Sequence, residues 1–163
     1  NVFPEEISGV RHYKLQHLTP QTPAYQEKVG LKYDISLGFA AQAGFRNSYA
    51  LPFLLYDFEN DQPFRIWQFP LLVVDHALLK DENLNFEQSL EEVKALVHEV
   101  RKFHGVFTLL WHNSFFADRR YPGIREFYKN LVATIAACTP DSLTGSGLLM
   151  RIQNLFGAPG KQD

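Results

Sequence analysis

Only one cysteine, Cys138, occurs in the 163 residues, which excludes an internal disulfide and any multi-cysteine metal cluster. It ends the apolar run LVATIAAC, where it reads as a small core residue. No block of Lys and Arg is present and the net charge is -2, so the electrostatic footprint of a nucleic-acid binder is missing. No apolar stretch approaches the roughly 20 residues that span a membrane. There is no glycine-rich phosphate loop, no nucleophile elbow and no paired metal motif. Internal repeats and linkers are lacking too. The chain opens at Asn1, with neither Met nor a signal-peptide pattern, as expected of a mature product or a piece of something longer.

What is present is an ordinary globular composition, 45% apolar and 21% charged, long enough for one domain over 1–163 with a real core. Fourteen Phe and seven Tyr fit either an aromatic-lined cleft or a large aromatic core. The most unusual stretch is GLKYDISLGFAAQAGFRNSYALPF, residues 30–53. A short strand, Leu31 to Tyr33, runs into Asp34 at its end. Phe39, Phe45, Tyr49, Leu51 and Phe53 then mix with Gly38, Gly44 and several alanines. Such a loop is too apolar to lie in water. It reads either as a wall over a pocket, with Asp34 and Arg46 as its charged members, or as a core-crossing loop whose Asp34 caps a turn.

The pattern elsewhere places the remaining elements. Residues 1–8 form a helical turn, and Val10 to Leu15 alternate as a strand. Thr22 caps a short helix from Pro23 to Val29. DFENDQP, residues 57–63, is a polar turn, and strand segments Phe64 to Phe69 and Leu71 to Asp75 are broken by Pro70. Asn85 caps a helix over Phe86 to His104, with Leu90, Val93, Leu96, Val97, Val100 and Phe103 at helical spacing. Gly105 ends it. Val106 to Trp111 is a buried strand. A helix opened by Pro122 reaches Cys138 on the stripe Ile124, Phe127, Leu131, Val132, Ile135, and a last helix covers Ser146 to Phe156. Strands alternating with helices imply an α/β fold with a mainly parallel sheet, with too few strands for a complete barrel.

Working residues in such folds sit past strand ends. Asp34, Asp75 with His76, and His112 all do, and Arg11 lies on the first strand. His112, between Trp111 and Asn113, is the best general acid or base; the alternative is a histidine satisfied by a backbone carbonyl. Asp75 and His76 could ligate zinc, but adjacent strand residues point to opposite faces, so a turn is the simpler reading. His12 and His17, five apart, fall on opposite faces of a strand. His98 and His104 look solvated.

GVRHYKL at 9–15, the 30–53 stretch and LLWHNS at 109–114, taken together, resemble the C-terminal part of the polysaccharide deacetylase family (NodB-like, carbohydrate esterase family 4). The resemblance covers roughly residues 9 to 115. It implies a barrel-like deacetylase fold and hydrolysis of N-acetyl groups on a carbohydrate polymer. Arg11 matches the arginine that orients the catalytic-base aspartate. Asp34 falls near the fourth motif, without its second Asp and Trp, and would support Arg11. Leu110 and His112 match the final L-x-H motif, in which the leucine lines the acetyl pocket and the histidine protonates the leaving amine. Tyr13, Phe45, Arg46, Leu110 and Trp111 are the expected substrate-binding residues.

The family's divalent metal, zinc in type, is held by an aspartate of a TFDD-type motif and an H-x-x-x-H pair, and neither motif occurs here. No tightly bound metal is therefore expected on this chain alone. The expected partners are a carbohydrate and the missing N-terminal segment. The rival readings are a non-catalytic carbohydrate- or partner-binding module, and a structural α/β domain whose exposed strand edge pairs with a missing segment.

Overall fold

A computed structural model describes residues 6–79, 85–117, 121–138 and 141–159. The architecture is mixed α/β, with mainly parallel strand pairing. The chain forms two compact units. The first draws on the chain up to Leu37, on Pro52–Phe69 and on the segment from Leu143 onward; the second comprises Gly38–Leu51 and Pro70–Ser142. The helical turn expected at 1–8 lies largely outside the described residues. Among the described residues, no helix is long and apolar enough to cross a membrane.

In the first unit, β1 (Gly9–Val10), β2 (Tyr33–Asp34), β3 (Phe53–Asp57) and β4 (Gln62–Gln68) form one sheet in the order β1-β2-β4-β3. The pairs β1–β2 and β2–β4 are parallel, whereas β3 and β4 form an antiparallel hairpin. Asp57 closes that hairpin by accepting from the backbone N–H groups of Glu59 and Asn60 and from the Asn60 amide, an Asx-type turn. The helices are α1 (Gln21–Lys28) and α5 (Gly145–Phe156). Leu149 and Ile152 of α5 pack with Trp67 and Phe69, and Tyr33 stacks on Phe69 at 4.9 Å.

The strand expected from Val10 to Leu15 stops after Val10. Lys14 and Leu15 adopt φ of 54° and 53°, a left-handed turn that no strand can contain, and Tyr13–Leu15 becomes a single 3-10 turn. Thr22 is not the cap of α1; its Oγ1 accepts from the Leu18 N–H at 2.9 Å instead. The hairpin strand β3 was not anticipated, because its FLLYD sequence continues the apolar loop before it without a break in pattern.

Pro70 ends the first sheet's contribution, as expected of a residue with no N–H to donate. The second unit is built on β5 (Val73–Val74) and β6 (Leu109–Leu110), paired in parallel with Val73 opposite Leu109 and Val74 opposite Leu110. Around them lie α2 (Asp75–Leu78), α3 (Phe86–Lys102) and α4 (Ile124–Cys138). Val93, Val97 and Val100 of α3 and Ile124, Phe127 and Leu131 of α4 share a core with Leu72, Val73 and Leu78. Full burial of each such aliphatic side chain contributes about 1.5–3 kcal/mol. Asn85 caps α3 as the sequence implies, accepting from the Gln88 N–H at 3.0 Å.

Three details of this unit differ from the sequence reading. Phe103 is 61% exposed and Val132 41% exposed, so the apolar stripes of α3 and α4 are narrower than their spacing suggests. The residue that turns the chain at the end of α3 is His104, at φ 52°, not Gly105. Gly105 is needed for a different reason, since a Cβ there would meet the backbone of Ala50.

Candidate functional site

Three of the titratable groups past strand ends meet in the second unit. The register of β5 on β6 carries both strands to the same level. Asp75 leaves β5 as the first residue of α2, and His112 follows β6 by two residues. The Asp75 side chain is 0% exposed, and those of His76 and His112 are each about half exposed, at 50% and 49%. Asp75 Oδ1 accepts from the His76 backbone N–H at 2.7 Å, and Oδ2 accepts from the His112 backbone N–H. His112 Nδ1 donates to the same carboxylate, 2.8 Å from Oδ2 and 3.0 Å from Oδ1. His76 Nδ1 lies 3.2 Å from Oδ1. A carboxylate only accepts, so Nδ1 of His112 carries the hydrogen and Nε2 is the nitrogen left for another group.

Trp111, the residue before His112, packs its ring 4.9 Å from Tyr128, 6.1 Å from Phe127 and 6.2–6.3 Å from Phe115 and Phe116. Its Nε1 is buried with no hydrogen-bond partner among the described residues. Phe116 and Tyr128 meet edge to face, and with Arg125 and Lys129 they line an open groove of about 340 Å³. Phe45 packs against the core of this unit. Arg46 is exposed, its guanidinium donating to the Gly38 carbonyl at 3.2 Å. Leu110 is half-buried on β6. The apolar wall expected over 39–53 is only partly a wall, since Tyr49 is 54% and Leu51 39% exposed.

A second polar cluster occupies the first unit. Asp34 is 0% exposed, accepting from the Ser36 N–H at 2.6 Å and from Gln26 Nε2. His12 and His17, which a strand would have separated, both approach it: their Nε2 atoms stand 4.0 and 3.8 Å from Asp34 Oδ2. The left-handed turn at Lys14 and Leu15 lies between them. Burial lowers the Arg11 guanidinium below its ordinary value, and the charge of Asp34 opposes that shift. Tyr13, expected to contact substrate, is 81% exposed with Lys14 over its ring at 5.5 Å. The 3-10 turn carries it outward.

This second cluster has the residue types of a metal site but not the arrangement. Gln26 Nε2 lies within hydrogen-bond reach of both Asp34 Oδ2 and His12 Nε2, the latter at 2.9 Å. An amide NH₂ thus stands where a cation would have to sit, and its two hydrogens serve the carboxylate and the imidazole. The donor side of Gln26 is thus used within the cluster, while its Oε1 is buried without a hydrogen-bond partner among the described residues.

Arg11 and Asp34 therefore belong to the first unit and Leu110, Trp111 and His112 to the second, with Phe45 and Arg46 also in the second. Asp75 is the partner of His112, a pairing that the order of residues along the chain does not itself reveal. The sequence signal is that LLVVD and VFTLLWH are two apolar runs, each ending in a titratable residue, although only Leu109–Leu110 of the second forms a strand and that run is half-buried. Comparison of the chain with protein-family models, curated proteins and solved structures finds no match.

Proposed function

We propose that the chain carries the acid–base part of a hydrolase that removes N-acetyl groups from a carbohydrate polymer, as the C-terminal portion of a barrel-like deacetylase domain. The observation that supports this reading most is the Asp75–His112 pair: a buried carboxylate fixes the imidazole through Nδ1 at 2.8 Å and leaves Nε2 for the reacting group. In amide hydrolysis the C–N bond breaks only as the nitrogen gains a proton. His112, protonated at both nitrogens, delivers its Nε2 hydrogen to the leaving amine while Asp75 compensates the imidazolium charge. Leu110 and Trp111, on either side of the strand end, supply apolar surface for the acetyl methyl and a face for a sugar ring. Asp34 acts on Arg11 by charge and not as a ligand. The metal implied by the resemblance would need ligands that this chain does not hold in that form, and no step here is routed through it.

The test is acetate release from an acetylated chito-oligosaccharide. His112→Gln should lower kcat/KM by about 10²–10⁴, the usual worth of a positioned general acid. A change below threefold would refute the role. A second reading, a carbohydrate-binding module without catalysis, is favoured by the aromatic cluster around Trp111 and its adjoining groove. Saturable oligosaccharide binding with no acetate release, lost on Trp111→Ala, would replace the first reading with the second.

A further inference from the structure

We infer that Asp75, His76 and His112 form a binding site for a first-row divalent cation, with zinc the best match to the donor set. One ligand atom from each of the three residues lies within 4.8 Å of the other two. The edges that involve Asp75 are shorter: Oδ1 is 3.2 Å from His76 Nδ1 and 3.0 Å from His112 Nδ1. Zinc bonds of about 2.0–2.1 Å in a tetrahedron place neighbouring ligand atoms about 3.4 Å apart. On those two edges the groups need to move by only a few tenths of an ångström, and the wider His76–His112 edge, within 4.8 Å, is closed by turning the two half-exposed imidazoles. Two imidazoles and one carboxylate select zinc or its neighbours over magnesium and calcium, which take oxygen ligands.

The support around the ligands is already built. Backbone N–H groups of His76 and His112 hold the two oxygens of Asp75, so the carboxylate is oriented before any ion arrives. Its burial keeps bulk water from it, while the half-exposed histidines leave an entry path and a coordination position open to a small ligand. The cluster differs from the Asp34 network, where an amide donor fills the corresponding space. Binding would displace the hydrogens on the imidazole nitrogens that the ion takes, and with them the Asp75–His112 hydrogen bond. The ion and the Asp75–His112 hydrogen bond compete for the same Nδ1, so zinc would block the acid arrangement described above and not take part in it; the inference rests on ligand geometry and is tested without reference to hydrolysis.

The experiment is calorimetric titration of the metal-free protein with zinc chloride, with no substrate present. One equivalent should bind with a dissociation constant in the micromolar range or below. His76→Gln and His112→Gln should each weaken binding at least tenfold, whereas His98→Gln, at an exposed histidine outside the cluster, should not. Cobalt substitution adds a readout that needs no variant: a visible d–d band of four- or five-coordinate intensity. Absence of stoichiometric binding would overturn the inference. So would binding that survives His76→Gln or that is lost on His12→Gln. Acetate release plays no part in these outcomes, so an inactive chain leaves the test intact.

Discussion

Replacing Asp75 with Asn removes one acceptor from a site where both oxygens are in use. Oδ1 takes the His76 backbone N–H and Oδ2 the His112 backbone N–H, and Nδ1 of His112 leans on both. Asn keeps one carbonyl oxygen and turns the other position into an NH₂ donor. Whichever way the amide is turned, one backbone N–H then faces a donor. Leaving such a group unsatisfied costs about 1–3 kcal/mol, and the remaining hydrogen bonds lose their charge assistance, about 1 kcal/mol more. The stranded N–H groups are part-buried and not deeply buried, which favours the lower part of that range. The expected destabilisation is about 2–3 kcal/mol. With a urea slope of about 2 kcal/mol/M, the unfolding midpoint should fall by roughly 1–1.5 M. Trp111 reports on the site directly, and Trp67→Phe in both proteins makes it the sole tryptophan. In the same variant, ¹⁵N spectra should show the His112 hydrogen moving from Nδ1 to Nε2 in a fraction of molecules. A stability loss under about 0.5 kcal/mol with an unchanged tautomer would refute the claim that Asp75 holds His112.

Other perturbations follow from single features. Gly145→Ala places a Cβ against the Tyr33 ring and hydroxyl, with several atoms inside contact distance; thermal unfolding should show a loss of about 1–3 kcal/mol, and Tyr33→Ala in the same chain should relieve the clash term. His104→Gly removes the left-handed strain at φ 52° and should raise stability by roughly 0.5 kcal/mol in urea titration. The Asp57 carboxyl lies below its ordinary value, chiefly because the Asn60 side chain donates to it. A lowered folded-state pKa means that its stabilisation is present above the unfolded value of about 3.9 and is lost as pH falls through the folded one. Wild type should therefore lose its advantage over Asp57→Asn as the pH falls below about 4, measured as a closing gap in melting temperature.

Where the sequence was legible, one physical signal was unopposed. The helix at 86–102 shows its valines at 3.6-residue spacing, an asparagine cap and basic residues at its end, and local chemistry decides each of these. The short parallel strands β5 and β6 were visible as apolar runs, and Pro70 as a break. His112 was identifiable as a candidate because it follows such a run. Strand length was not legible, since several pairings are only two residues long and depend on a neighbour the pattern cannot reveal. The β3 strand was hidden for the same reason.

Composition and periodicity by themselves determined the α/β class, the main helices, the absence of a disulfide and the candidacy of His112. Only the tertiary structure decided which groups meet. Asp75 reaches His112 because β5 and β6 pair in parallel with one register; a slip by one residue would turn the carboxylate to the other face. His12 and His17 converge on Asp34 because two residues adopt positive φ, which alternation along a strand does not foresee. Periodicity encodes the faces of single elements. Register and turn handedness, set by contacts between elements, determine which side chains share a site.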